Sequence, residues 1–281
     1  MIDLLTKEMA ASLAAVPAVE AVVLGGSRAR GDAGPGSDYD LGLYFQSCSP
    51  FTIQDLQRAV LPFVDAGSGS SLTRVGEWGP WIVGGGWLTV KGQPVDILYR
   101  SLDDVQVTID QALNGIIRVD YQPGHPHGFV SAIWLAEIHY CKPIIDKNGA
   151  IARLKQSLQP YPRALGLAIL DRFQWEIAFA AGNAAKAIKR GDRTYIAGCI
   201  FRALACVGQV ICALNGTYVM NEKGALRLAA SQPLAPTALA SRVDLIWENF
   251  ASGDFEEALR ILGRIGEEVD RLADSWRATA E

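Results

Sequence analysis

Asp38 and Asp40 are the residues in this 281-residue chain whose type and spacing best suit chemistry. They follow the turn Gly25-Gly26-Ser27, with Arg28 and Arg30 between. Along an extended strand alternate side chains share a face, so both carboxylates would point the same way. Two oxygen ligands on one face suit a hard divalent cation, and Mg²⁺ is usually held by one or two carboxylates plus substrate phosphates. Glycines let backbone N–H groups approach a phosphate closely, and arginines suit its oxygens. Taken alone, the same stretch also reads as a solvated loop with two surface aspartates. Asp96 is a third carboxylate, alone in the apolar run Val95–Tyr99. An ionised carboxylate in such a run is costly unless paired or metal-bound. It is either a surface residue at a strand end or a third ligand aimed at the same site.

The elements around these residues follow from pattern. Val22-Val23-Leu24 reads as a buried strand ending at the glycines, and Leu41–Phe45 as a second strand after the Gly31–Gly36 loop. Helices are expected over 3–16, stopped by Pro17, and over 52–65, with Pro62 near its end. Gly67–Ser71 reads as a flexible link, and residues 75–87 as an irregular loop with three tryptophans and five glycines. That loop either packs around turns or walls a pocket. Trp87–Val90 and Val95–Tyr99 form an expected hairpin, with Pro94 tolerated at the start of its second strand. Helices follow over 101–114 and 130–140, a short strand over 143–146, and a helix over 150–158. Between them, the 121–129 loop carries His125 and His127. With His139 and Cys141 separated from them by a helix, a zinc site is the weaker reading and a pocket-mouth loop the stronger.

Beyond Pro160 and Pro162 no strand pattern remains. Helices are expected over 163–190, 192–215, 237–251 and 254–278, with a short one after the 217–224 loop. The 192–215 segment is apolar nearly all round, as in the buried helix of a bundle. The fold class is therefore α+β: a mixed-sheet domain flanked by helices over 1–159, then an all-α bundle over 160–281.

Composition sets limits. The chain is about half apolar and carries a net charge of −4, so a broad basic face for nucleic acid is not expected. Five scattered cysteines without a Cys-x-x-Cys pair suit a reducing compartment. The amphipathic start is not a signal peptide, and no run of about 18 apolar residues reads as a membrane span. A cytoplasmic location is expected.

Gly26-Ser27, ten intervening residues, Asp38-x-Asp40, a strand on each side and the later strand carboxylate Asp96 together resemble the DNA polymerase beta-type nucleotidyltransferase superfamily. The layout resembles its smaller-substrate branch, such as the aminoglycoside and lincosamide nucleotidyltransferases, in which a helical bundle follows a minimal catalytic domain. The resemblance implies catalytic and metal-binding roles for Asp38, Asp40 and Asp96. It implies two Mg²⁺ ions and a nucleoside triphosphate, with ATP the first choice, on Gly26, Ser27, Arg28, Arg30 and Ser37. Lys223, in Asn221-Glu222-Lys223, looks similar to a bundle lysine that reaches the triphosphate; otherwise it is a solvated helix-start residue. Asp96 is the first candidate for general base and the loop residue Glu77 the second. The implied partner is a small-molecule hydroxyl acceptor, an antibiotic being one candidate. Glu137, Glu176, Glu222 and Glu248 are available for an acidic acceptor pocket. The alternative is the nucleotidyltransferase module of a toxin–antitoxin or regulatory system acting on a protein or tRNA. Oligomeric state stays open, a homodimer included.

Overall fold

The structure, a computed structural model, describes residues 4–34, 36–48, 50–68 and 71–279. The chain forms two compact units, residues 1–110 with 131–160, and residues 111–130 with 161–281. The expected starts and ends at residues 1–3, Pro35, Ser49, Gly69, Ser70, Ala280 and Glu281 lie outside the described residues.

In chain order the elements are α1 (Leu4–Ala14), β1 (Val19–Leu24), α2 (Gly26–Arg30), β2 (Tyr39–Phe45), α3 (Ile53–Val60), β3 (Ser71–Leu72), β4 (Gly85–Val90), β5 (Gln93–Ser101) and α4 (Leu102–Leu113). Then come β6 (Val119–Asp120), β7 (Phe129–Val130), α5 (Ala132–Tyr140), β8 (Lys142–Asp146) and α6 (Ala150–Ser157). The remainder is helical: α7 (Arg163–Ile188), α8 (Arg193–Leu214), α9 (Ala225–Ala230), α10 (Leu239–Ser252) and α11 (Phe255–Ala278).

The first unit is built on a six-stranded sheet in the order β3-β4-β5-β2-β1-β8. Only β2 and β5 pair in parallel; β1–β2, β1–β8, β3–β4 and β4–β5 are antiparallel. Period-two alternation buries Leu41, Leu43 and Phe45 of β2 with Val95, Ile97 and Tyr99 of β5 on one face. Met9 and Leu13 of α1 and Leu56 and Val60 of α3 belong to the same core. The opposite face of β2 and β5 therefore presents Asp40 and Asp96. The β4–β5 hairpin turns at Lys91-Gly92, whose amides both donate to the Asp65 carboxylate at 2.7 Å. Thr52 caps α3 by accepting from the Asp55 amide at 3.2 Å, and the helix stops at Val60, short of the expected 65 because Pro62 intervenes.

Two local expectations need correction. The strand β2 begins at Tyr39, so Asp38 precedes it rather than alternating with Asp40 inside it. Ahead of the strand, the Arg28 side chain donates to the Ser37 and Asp38 carbonyls. The Gly26-Ser27 turn also opens a short helix rather than a bare loop.

The second unit packs α7 and α8 with α9, α10 and α11. Asp192 caps α8 at the Tyr195 amide (3.1 Å) and Asp254 caps α11 at the Glu257 amide (3.0 Å). Among the described residues α8 is the one helix with the length and apolarity of a membrane span, and 67% of that window is buried. Its buried residues include Ile196, Ile200, Leu204, Val207 and Ile211, as the all-round apolar pattern requires. Residues 111–130, counted by pattern with the first domain, group with this unit. The physical reason is polar: His125 and His127 of this segment bond Glu222 and Arg202. The β6–β7 hairpin that carries them has strands of two residues each, too short to register in a periodicity reading.

Candidate active site

The parallel pairing of β2 and β5 sets Asp40 directly beside Asp96. Registered residues on neighbouring strands point to the same face about 5 Å apart. Neither carboxylate is fully exposed. The Asp40 carboxyl is raised to about 6, first by burial, then by the negative charges of Asp96 and Asp38; Arg30 opposes the shift. Asp38 itself is exposed, at the lip of β2.

The Gly-Ser turn is locked onto this pair. The Gly25 amide donates to the Asp40 carbonyl at 2.7 Å. Gly26 has a left-handed φ of 57°, and a Cβ there would lie 1.7 Å from Asp40 Oδ2. Glycine is thus required twice, for the backbone and for the carboxylate lying against it. Ser27 follows in the first turn of α2.

The basic residues are more committed than their sequence positions suggested. Arg28 donates to the Ser37 carbonyl at 2.6 Å and the Asp38 carbonyl at 3.1 Å, and its guanidinium stacks 3.8 Å from the Tyr39 ring centroid. It shapes the loop that delivers Asp38 and Asp40 to β2. Arg30 pairs with Asp32 at 3.1 Å while contributing positive potential at Asp40. The Ser37 hydroxyl accepts from the Gly34 amide at 2.9 Å. Glu77 accepts from the Arg74 amide at 2.8 Å and is exposed in its loop. Lys223 is an exposed residue of the second unit, where its amide donates to the Asn221 side chain at 2.9 Å.

Of the four glutamates considered for an acceptor pocket, three are in polar contacts. Glu137 forms a two-pronged pair with Arg100 (2.8 and 2.7 Å). Glu176 is gripped by Arg202, two bonds of 2.6 Å, and by Arg172 at 3.1 Å. Glu222 meets His125 Nδ1 and the His127 amide, each at 3.2 Å. Glu248 is exposed. The Arg100–Glu137 pair went unnoticed in the sequence. Its signal was the spacing: Arg100 lies four residues after Asp96 on one strand, hence on the same face, where a buried cation needs a carboxylate.

The residues present fit a divalent cation. The donors are hard carboxylate oxygens, and burial together with the charges of Asp96 and Asp38 raises Asp40 in a way that a bound cation would oppose. Among the described residues no three His, Cys, Asp or Glu side chains already converge as a metal site. Mg²⁺ does not need three, since substrate phosphates complete its shell.

A glycine turn therefore packs over a paired carboxylate row, and part of this region matches a known family. Residues 7–66 match the family model of the nucleotidyltransferase domain, a span holding Gly26, Ser27, Asp38 and Asp40 but not Asp96. The chain is accordingly a transferase carrying a nucleotidyltransferase domain. Residues 130–223 match a domain of unknown function, DUF4037, which ends on Lys223. Among solved structures the chain is similar to a nucleotidyltransferase-like protein from Exiguobacterium sibiricum 255-15. Identity is 13%, the match covers 96% of this chain and 77% of that one, and the TM-score is 0.45. No curated protein matches the chain.

Proposed function

We propose that the protein transfers a nucleoside monophosphate, AMP from ATP as first choice, to a hydroxyl of a small molecule and releases pyrophosphate. The observation that carries this reading is the Asp40–Asp96 register pair with Gly26 packed against the Asp40 carboxylate. Mg²⁺ held by Asp40 and Asp96, with Asp38 at the lip, would neutralise phosphate charge and stabilise the in-line displacement at the α-phosphorus.

The chain's own residues supply the rest. Backbone amides at the Gly26-Ser27 turn bind the phosphate tail, aided by the positive field of Arg30. Arg28 holds the loop carbonyls and so orients Asp38. Asp96 accepts the proton of the acceptor hydroxyl as that oxygen bonds to the α-phosphorus. The bond from the α-phosphorus to the bridging oxygen breaks, and pyrophosphate leaves with its electron pair.

The test is incubation with α-labelled ATP, Mg²⁺ and a panel of aminoglycosides and lincosamides, with Asp38→Ala and Asp40→Ala as controls. Label is expected on an acceptor with the wild type only. Transfer that survives both substitutions would remove the assignment.

A further inference from the structure

Resting on the transfer reading above, the geometry points to Trp87, backed by Trp78, as the platform that binds the acceptor through a ring face. Trp87 is the direct cross-strand partner of Asp96 in the antiparallel β4–β5 pair, as Asp40 is in the parallel β2–β5 pair. One row across the sheet therefore reads Asp40, Asp96, Trp87, with about 5 Å from each side chain to the next. All three project from the face opposite the apolar core.

Trp87 does not behave as a core residue. It is 56% exposed, whereas its neighbours Leu88 and Val90 are buried. The Trp78 ring lies 4.7 Å from it, tilted by 32°. Trp78 can lie there because β4 has glycine at 85, two residues before Trp87 and on the same face. A Cβ at Gly85 would come within 2.9 Å of Trp78 Cζ3. The sequence thus leaves room for one indole to back another beside the carboxylates.

In-line displacement decides which substrate meets the platform. The entering oxygen and the leaving pyrophosphate lie on opposite sides of the α-phosphorus. The Gly26 turn, at the Asp40 end of the row, is the phosphate end. The acceptor then enters from the other end, past Asp96, where Trp87 stands. A ring-bearing hydroxyl compound stacked on Trp87 would hold its hydroxyl toward Asp96. The same indoles would stack a nucleobase equally well, so the nucleotide is the competing occupant.

Ligand-detected saturation-transfer NMR on the full chain, without nucleotide, separates these cases and does not depend on turnover. The probes are kanamycin, lincomycin and phenyl β-D-glucoside as ring-bearing hydroxyl compounds, glycerol as a ringless control, and ATP measured separately. At least one ring-bearing probe is expected to bind the wild type and glycerol not to. Stacking on an aromatic side chain is worth about tenfold or more in affinity, so Trp87→Ala should raise that Kd about tenfold. Trp87→Tyr should restore it to within about threefold, and ATP affinity should be the same in all three proteins. Because Trp87 is exposed, the variants keep the fold, which their melting curves check. No ring-bearing probe binding, an unchanged Kd in Trp87→Ala, or weakened ATP in its place would overturn the platform. Label transfer that fails while this pattern holds would count against the transfer reading instead.

Discussion

The carboxylate cluster around Asp40 and the polar cluster around Arg202 handle partly buried charge in opposite ways. In the second unit, Arg202 grips Glu176 with two bonds and donates to both Nδ1 and the carbonyl of His127, whose amide in turn meets Glu222. Glu176 and Glu222 each have a cation or donor on them, and both are lowered, burial opposing their partners. In the first unit, burial and then the charges of Asp96 and Asp38 raise the Asp40 carboxyl, and among the described residues no cation sits on it closely enough to reverse the shift. Completed pairs hold a structure in one arrangement, whereas crowded like charge keeps a site ready for an added cation. The contrast favours the first cluster as the seat of the proposed transfer and a supporting role for the second.

Removing a charge should therefore have opposite consequences in the two places. Asp96→Asn should lower label transfer on the order of 10³-fold, since it takes away both cation ligand and proton acceptor, while the melting temperature should not fall. Kinetics with a melting curve checks both halves. Glu176→Gln should leave Arg202 and Arg172 short of their partner and cost about 3 kcal/mol of stability, read by urea titration. A neutral effect there would break the contrast.

The pH dependence separates the clusters further. Burial first, then Arg202, lowers His127 from 6.5 to about 4. Arg202 donates to Nδ1, so the neutral ring carries its proton on Nε2, which is buried without a hydrogen-bond partner. The unfolded chain binds a proton at His127 below pH 6.5, whereas the folded chain resists until about pH 4. Its contribution to stability is thus complete above 6.5, falls as pH drops through that window, and amounts to about 2–3 kcal/mol. His127→Gln should flatten the melting curve between pH 6.5 and 4 relative to wild type. The smallest effect on stability is expected at the turn: Gly26→Ala forces a left-handed alanine, costing about 1–2 kcal/mol, and its Cβ would also displace the Asp40 carboxylate, so both the melting temperature and label transfer should fall.

Much of this was visible in the sequence because it is local. The glycines ending the first strand, the Asp38-x-Asp40 spacing and the Trp87–Tyr99 hairpin depend on neighbours within a few residues. The sheet face of Asp96 followed from period two. What was not legible depends on distant partners. Nothing near Arg28 shows that its guanidinium will hold the Ser37 and Asp38 carbonyls, and the two-residue spacing does not show that β2 takes in Asp40 but not Asp38. Nothing near His127 announces Arg202, 75 residues on. The two-residue strands β6 and β7 are too short for periodicity, so the grouping of residues 111–130 with the second unit leaves no mark in the pattern. Trp87 was seen as part of a tryptophan-rich loop, but its place opposite Asp96 needed the strand register.

The most direct test of the carboxylate cluster is thermal melting of the wild type and Asp40→Asn near pH 7.5, with and without millimolar Mg²⁺ and ATP. At that pH Asp40 is ionised, above its raised value of about 6, so its burial and the repulsion from Asp96 and Asp38 act at full strength. The account predicts that Asp40→Asn melts higher than the wild type without Mg²⁺, and that Mg²⁺ with ATP raises the wild type but not the variant. A variant that melts lower, together with a wild type unmoved by Mg²⁺ and ATP, would contradict it.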